Sequence, residues 1–284
     1  MKRRILLLGA ALCVSVANVF GQTAMADALA AEQAGRWADA IRLYGQLVAA
    51  EPRRADLWLR LADLHARTGD REACIAALQR AVDASPSDAS VFARLSQAYA
   101  WADQPVAALS AIEGALALKP DVPEYLRAKA TLATWAGRYH AAGDAYRRLG
   151  RSLLDDPEVS LGLARVSAWA GETDAAVDAY RRYLAVHPEA GAAWLELART
   201  ESWRGNYAAA LDALDDYHAR FGPSREYTRE RADVLARGGR PTQAARLSTS
   251  LLLDEPDSPR DNLTRAIALA MRQQAREALE SLNS

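Results

Sequence analysis

AYAWAD (98–103), LATWAG (132–137), VSAWAG (166–171) and TESWRG (200–205) set Trp101, Trp135, Trp169 and Trp203 at a constant step of 34 residues. Each ring stands two places before a turn, which carries Asp103 in the first segment and Gly137, Gly171 and Gly205 in the others. The same step reaches Gly35 and Gly69 upstream and Gly239 downstream. A fixed period of this length marks a solenoid built from one repeated supersecondary unit.

With the turn residue as position 15, repeats begin at 21, 55, 89, 123, 157, 191, 225 and 259. Position 8 reads Ala28, Ala62, Ser96, Ala130, Ala164, Ala198, Ala232 and Ala266. Position 20 reads Ala40, Cys74, Ala108, Ala142, Ala176, Ala210, Ala244 and Ala278. Two antiparallel helices approach closely only where neither presents bulk, so these columns predict the contact points of a helical hairpin. Pro52, Pro86, Pro120, Leu154, Pro188, Gly222 and Pro256 hold position 32. Proline or glycine there ends the second helix, and glycine at position 15 suits a left-handed residue closing the first. Trp58, Phe92 and Trp194 at position 4, leucines at position 7, and Tyr44, Tyr146 and Tyr180 at position 24 are the expected interior.

The first 26 residues read as a separate unit. Lys2, Arg3 and Arg4 precede an apolar run from Ile5 to about Val19, and Ala24-Met25-Ala26 is a small-x-small cleavage site. This is the pattern of a signal peptide; the rival, an uncleaved membrane anchor, has a short run against it. A lipoprotein at Cys13 is disfavoured by Leu12 before it. The expectation is therefore a signal peptide over 1–26 and one repeat domain over 27–284. Cleavage leaves Cys74 as the sole cysteine, so the fold rests on its core. It also leaves 32 Lys+Arg against 36 Asp+Glu, an acidic balance that argues against nucleic-acid binding. No later stretch has the length of a membrane helix, and no alternating pattern suggests a C-terminal β-barrel. The expected location is the periplasm.

Little here points to chemistry. His65, His140, His187 and His218 form no HExxH and no close metal-ligand cluster. There is no G-x-S-x-G, P-loop or dinucleotide fingerprint. Cys74 stands in the small-residue column and reads as packing. No enzyme and no cofactor is expected. The tryptophans differ: at about 100° per residue, with position 4 at zero, positions 7, 8 and 11 face the hairpin while position 13 lies about 180° away. Its angular neighbours, positions 2, 6 and 9, are mainly polar, with Glu124, Glu196, Arg165 and Arg199 among them. Large rings in such company are not core composition. Arg165 and Arg199 fall four residues before Trp169 and Trp203, placing a guanidinium beside each ring to stack on it or to bind hydroxyl and carboxylate groups.

The chain resembles the tetratricopeptide repeat family, whose W-x2-L-G-x2-Y…A-x3-F…P pattern it follows with Ala or Ser for the first glycine. The resemblance implies an all-α, right-handed α-solenoid of about seven to eight antiparallel helix pairs. In that family the outward face of the first helix lines a concave groove, which implies four rings in a row along one groove wall. The W-x-G turns are similar to the periplasmic repeat regions of bacterial exopolysaccharide export proteins. That implies a polysaccharide ligand, or an envelope partner such as an outer-membrane porin or a polysaccharide synthase component. Two alternatives stand beside this reading: a generic envelope adaptor whose groove holds a partner peptide or helix, and a purely structural role in which the rings pack between repeats as a spine.

Overall fold

A computed structural model of the protein describes residues 23–150 and 156–282. The proposed signal peptide falls mostly on residues 1–22 and position 32 of the fourth repeat on Leu154, both outside the described residues.

The turn residues organise the chain as the period requires. Gly35, Gly69, Gly137, Gly171, Gly205 and Gly239 all have φ between +70° and +84°, and Asp103 joins them at +59°. Asp103 is the only non-glycine with positive φ among the described residues; aspartate tolerates that region better than most side chains. The second helices followed by a position-32 proline stop two residues before it, as α2 at Ala50 before Pro52 and α10 at Val186 before Pro188. Capping is local and recurrent. Asp70, Asp88, Asp156, Asn206 and Ser224 accept backbone N–H bonds at helix starts, and Pro105, Pro123, Pro157 and Pro241 occupy first-turn positions where no N–H is missed.

Fifteen helices and no strand result among the described residues, in consecutive pairs: an α-solenoid. The chain divides into two compact units, Met1–Gly137 and Arg138–Ser284. The first holds α1 (23–33), α2 (Trp37–Ala50), α3 (Ala55–Thr68), α4 (Arg71–Ala84), α5 (Ala89–Trp101), α6 (Pro105–Leu118) and α7 (Pro123–Trp135). Its core gathers Tyr44, Leu47, Leu57, Leu61, Leu78 and Leu95. The second holds α8 (Tyr139–Gly150), α9 (Pro157–Trp169), α10 (Thr173–Val186), α11 (Gly191–Trp203), α12 (Tyr207–Phe221), α13 (Arg225–Arg237), α14 (Pro241–Asp254) and α15 (Pro259–Leu282). Tyr180, Leu184, Leu197, Leu214 and Val234 fill much of its core.

The small-residue columns are the hairpin contacts. All position-8 and position-20 residues of the first seven repeats are buried, and the one serine among them donates its hydroxyl to the facing backbone, Ser96 Oγ to the Ala108 carbonyl at 2.8 Å. Position 4 does more than fill space. Trp58 and Trp194 donate their indole N–H to the carbonyls of Pro52 and Pro188, and Asn262 does the same to Pro256. These three repeats thereby pin the corner that precedes them.

The last repeat departs from expectation. The 34-residue step puts the turn position of this repeat at Gln273, with Ala278 in a second helix, but α15 runs unbroken from Pro259 to Leu282. Glutamine has no ease in the left-handed region, and the run MRQQAR from Met271 is made of good helix formers. Ala266, at position 8, is consequently exposed, unlike its seven counterparts. Exposed Asn262, Arg265 and Arg272 also lie on this helix, beside exposed Leu263, Ile267 and Leu269.

Candidate partner-binding face

Trp101, Trp135, Trp169 and Trp203 end α5, α7, α9 and α11, where the helix has no further turn to cover them. They are 38%, 50%, 49% and 46% exposed. Two of them rest on a side chain from the repeat before. The Arg71 guanidinium, at position 17, lies 4.8 Å over the Trp101 ring, and Tyr139, also at position 17, packs 5.6 Å from Trp169 at 47°. Trp37 and Arg67 occupy the same two positions with ring and cation exchanged, 5.4 Å apart. So position 17 of one repeat supports position 13 of the next, leaving the rest of the side chain in solvent. Each such exposed cation–π contact contributes about 0.5–1 kcal/mol. The rings are thus half support and half free surface.

Arg165 and Arg199 are disposed differently from the expectation that they stack beside the rings. Among the described residues, the cations over tryptophan are Arg67, Arg71 and Arg220. Arg165 instead grips Glu196 with Nε at 2.9 Å and Nη2 at 2.9 Å, and Arg199 holds Glu230 through Nε and Nη2. Each pair joins position 9 of one repeat to position 6 of the next, 31 residues on. Asp63–Arg94 repeats the link with the charges reversed, and Asp233–Thr264 repeats it with a hydroxyl. Where position 6 is Gly162 no such pair forms; a Cβ there would sit 2.5 Å from the Tyr146 ring. In the next repeat the equivalent Tyr180 donates its hydroxyl to Glu196 at 3.2 Å. The position-9 arginines are stitches between successive first helices.

In the second unit these first helices pack side by side, α9 on α11, α11 on α13 and α13 on α15. Glu230 is buried there between two guanidiniums, with Arg260 Nη2 at 3.0 Å beside Arg199. Burial alone pushes its carboxyl up, but Arg199 and Arg260 together outweigh this and hold it below the ordinary carboxylate range. Asp261 is held low chiefly by its hydrogen bonds from Arg229, 2.7 and 2.8 Å long. A depressed folded-state value means stability that is present above the unfolded value and lost as pH falls through the folded one. Urea midpoints should therefore decline from about pH 4 downward. Glu230→Gln should lower the midpoint at pH 7 and flatten that decline. An equal slope in the variant would remove Glu230 from the account.

Between α11, α13 and α15 lies a cleft of about 410 Å³, lined by Trp203, Arg199, Glu230, Arg237, Leu263 and Ile267 among others. Trp203 was expected on a binding face; Arg237, Leu263 and Ile267 were not singled out. Arg237 occupies position 13, the tryptophan column, so the same 34-residue step identifies it. No group of three or more His, Cys, Asp or Glu placed to hold a metal occurs among the described residues. No helix among them is long and apolar enough to cross a membrane.

Stacked helical hairpins with closed small-residue contacts and an exposed first-helix face define a helical-repeat solenoid. Family models described as tetratricopeptide repeat match residues 31–98, 157–200 and 204–259, together more than half of the chain. The chain belongs to the tetratricopeptide repeat family. No curated protein matches it by sequence. Among solved structures it is similar to Naa15/Naa10 bound to HypK-THB, with a TM-score of 0.60 and 17% identity over 92% of this chain and 41% of that one. It is also similar to YrrB, a TPR protein with an unusual peptide-binding site (TM-score 0.53, 16% identity, 65% of this chain and 95% of that one). PilW, a type IV pilus biogenesis factor, matches at a TM-score of 0.51 and 19% identity over 74% and 97% of the two chains. At these identities the likeness is one of fold.

Proposed function

We propose that the protein is a non-catalytic interaction scaffold of the bacterial envelope. It would be exported by the N-terminal signal over 1–26 and hold an extended partner against the first-helix faces. One observation carries this: four indoles recur at one repeat position, all 38–50% open to solvent, and Trp101 and Trp169 are held from behind by Arg71 and Tyr139. The contacts from position 17 account for the covered side of a ring and not for its open side, and open aromatic faces are what recurs at binding surfaces. The engagement of Arg165 and Arg199 by glutamates leaves this surface aromatic rather than cationic. It therefore suits apolar side chains of a partner protein, and the peptide-binding precedent in the YrrB fold agrees.

The second reading, a β-linked polysaccharide or a partner in its export, is favoured by the same open ring faces, since indoles stack on sugar C–H faces as well as on side chains. Titrating the protein with β-linked oligosaccharides while following tryptophan fluorescence, beside affinity capture from envelope fractions, separates the two. Trp135→Ala and Trp169→Ala should each weaken the productive interaction about tenfold or more, as truncation of a binding hot spot does, while circular dichroism stays helical. Capture and fluorescence both indifferent to these substitutions would sink the proposal.

A further inference from the structure

The cleft between α11, α13 and α15 has a composition that the tryptophan face as a whole does not. Three arginines and two acids line it: Arg199, Arg237, Arg260, Glu230 and Asp233. Four of these neutralise one another. Glu230 is held by Arg199 and Arg260, and Asp233 by Arg260 at 2.6 Å and by the Thr264 hydroxyl. Arg237 has no ion-pair partner among the described residues and is exposed. Around it stand three apolar side chains open to solvent: Trp203, and Leu263 and Ile267 one turn apart on α15 at 61% and 45% exposure. The cleft therefore presents an apolar floor with one uncompensated positive charge at its edge. A second hollow lies on the same three helices, lined by Leu195, Glu226 and Arg229, and it shares Arg199, Glu230 and Arg260 with the first. The salt bridge is thus a sill between two hollows, which an extended chain lying over it occupies together and a compact solute does not.

We infer that this cleft is a docking site for an extended segment of a partner protein. The segment inserts a bulky apolar side chain between Trp203, Leu263 and Ile267 and sets a nearby carboxylate against Arg237. The inference rests on the scaffold reading above and specifies the partner's chemistry at one place. Its charge complementarity is specific, since Arg237 is the one guanidinium in the cleft with no carboxylate of its own.

The test uses the full-length protein on an array of synthetic octapeptides. In these a phenylalanine or leucine is followed at each spacing by aspartate, with serine and lysine replacing the aspartate as controls. The apolar–acid peptides should bind, and the lysine and serine series should not. Arg237→Glu should lose at least tenfold in affinity for the aspartate series and gain the lysine series. Leu263→Ser/Ile267→Ser should lose both. All three side chains are exposed, so urea midpoints should stay near wild type, which separates lost docking from lost folding. Equal binding by wild type and Arg237→Glu overturns the inference, as does a Trp203 response to β-linked oligosaccharide with none to any peptide. If capture of an envelope partner still depends on Trp135 and Trp169 while the array is silent, the cleft assignment falls and the scaffold reading stands. If both fail, the scaffold reading falls with it.

Discussion

Arg181→Ala is expected to destabilise the protein by about 3 kcal/mol at neutral pH, out of proportion to the exposed position of that arginine. The reason is its partner. Glu201 ends 1% exposed at position 11 of α11, where the other repeats carry residues such as Ala133 and Leu235. Its carboxylate is reached by Arg181 Nη2 at 2.6 Å from α10 and by Arg204 Nη1 at 3.5 Å. Removing Arg181 leaves a dehydrated charge with only the longer contact, and an uncompensated buried carboxylate costs several kcal/mol. Arg204, itself also bound to Asp174 at 2.8 Å, keeps the loss at the lower end of that range. The double change Arg181→Leu/Glu201→Leu removes both charges, and the buried Leu235 shows that the repeat accommodates a leucine at this position. It should be near neutral or stabilising. Urea denaturation, with amide exchange along α10 and α11 to localise the change, checks both. An Arg181→Ala variant within about 0.5 kcal/mol of wild type, the span of an ordinary surface substitution, would mean that water reaches Glu201.

The same pair shows what was legible in the sequence and what was not. Hairpin contacts and turns were legible because each is decided by one residue obeying a local rule. Alanine at positions 8 and 20 permits close approach, and glycine at position 15 permits positive φ. Even Asp103, the exception, was marked by its place in the period. Relations between repeats were hidden from a reading made one helix at a time. Arg165 was read against Trp169, four residues away on its own helix, whereas its partner Glu196 lies 31 residues on. The signal was present: Asp63 and Arg94, Arg165 and Glu196, and Arg199 and Glu230 are complementary charges at one constant step. So were the supports for the rings, since Arg71 precedes Trp101 and Tyr139 precedes Trp169 by the same 30 residues. The wheel placed the tryptophans outward but had no means of saying what stood behind them. The unbroken course of α15 escaped for another reason. Repeat arithmetic assigned α15 a turn, and the run around Gln273 continued the helix because nothing there favoured stopping it.

Ala198→Leu should cost about 3 kcal/mol or more, at or beyond the upper end of ordinary overpacking, while Ala266→Leu should stay within about 0.5 kcal/mol of wild type. Both residues are position 8 of their repeats, and both changes add the same atoms. Ala198 is fully buried where α11 crosses α12, with Ala210 equally buried in the facing column, so three added carbons have nowhere to go unless the two helices separate. Ala266 lies on α15, which runs on through the place of the turn so that no second helix folds back onto it among the described residues, and is exposed. Sequence alone gives the two sites one prediction; the unbroken α15 separates them. The consequence reaches the binding face, because α11 also carries Arg199 and Trp203. Shifting α11 off α12 must strain the Arg199–Glu230 stitch to α13 and reshape the cleft. Ala198→Leu should therefore weaken peptide binding at the cleft as well as lowering the urea midpoint, and Ala266→Leu should do neither. Equal, small costs at both sites would mean that the hairpin contact yields freely, and the small-residue column would then lose its role in setting the helix spacing.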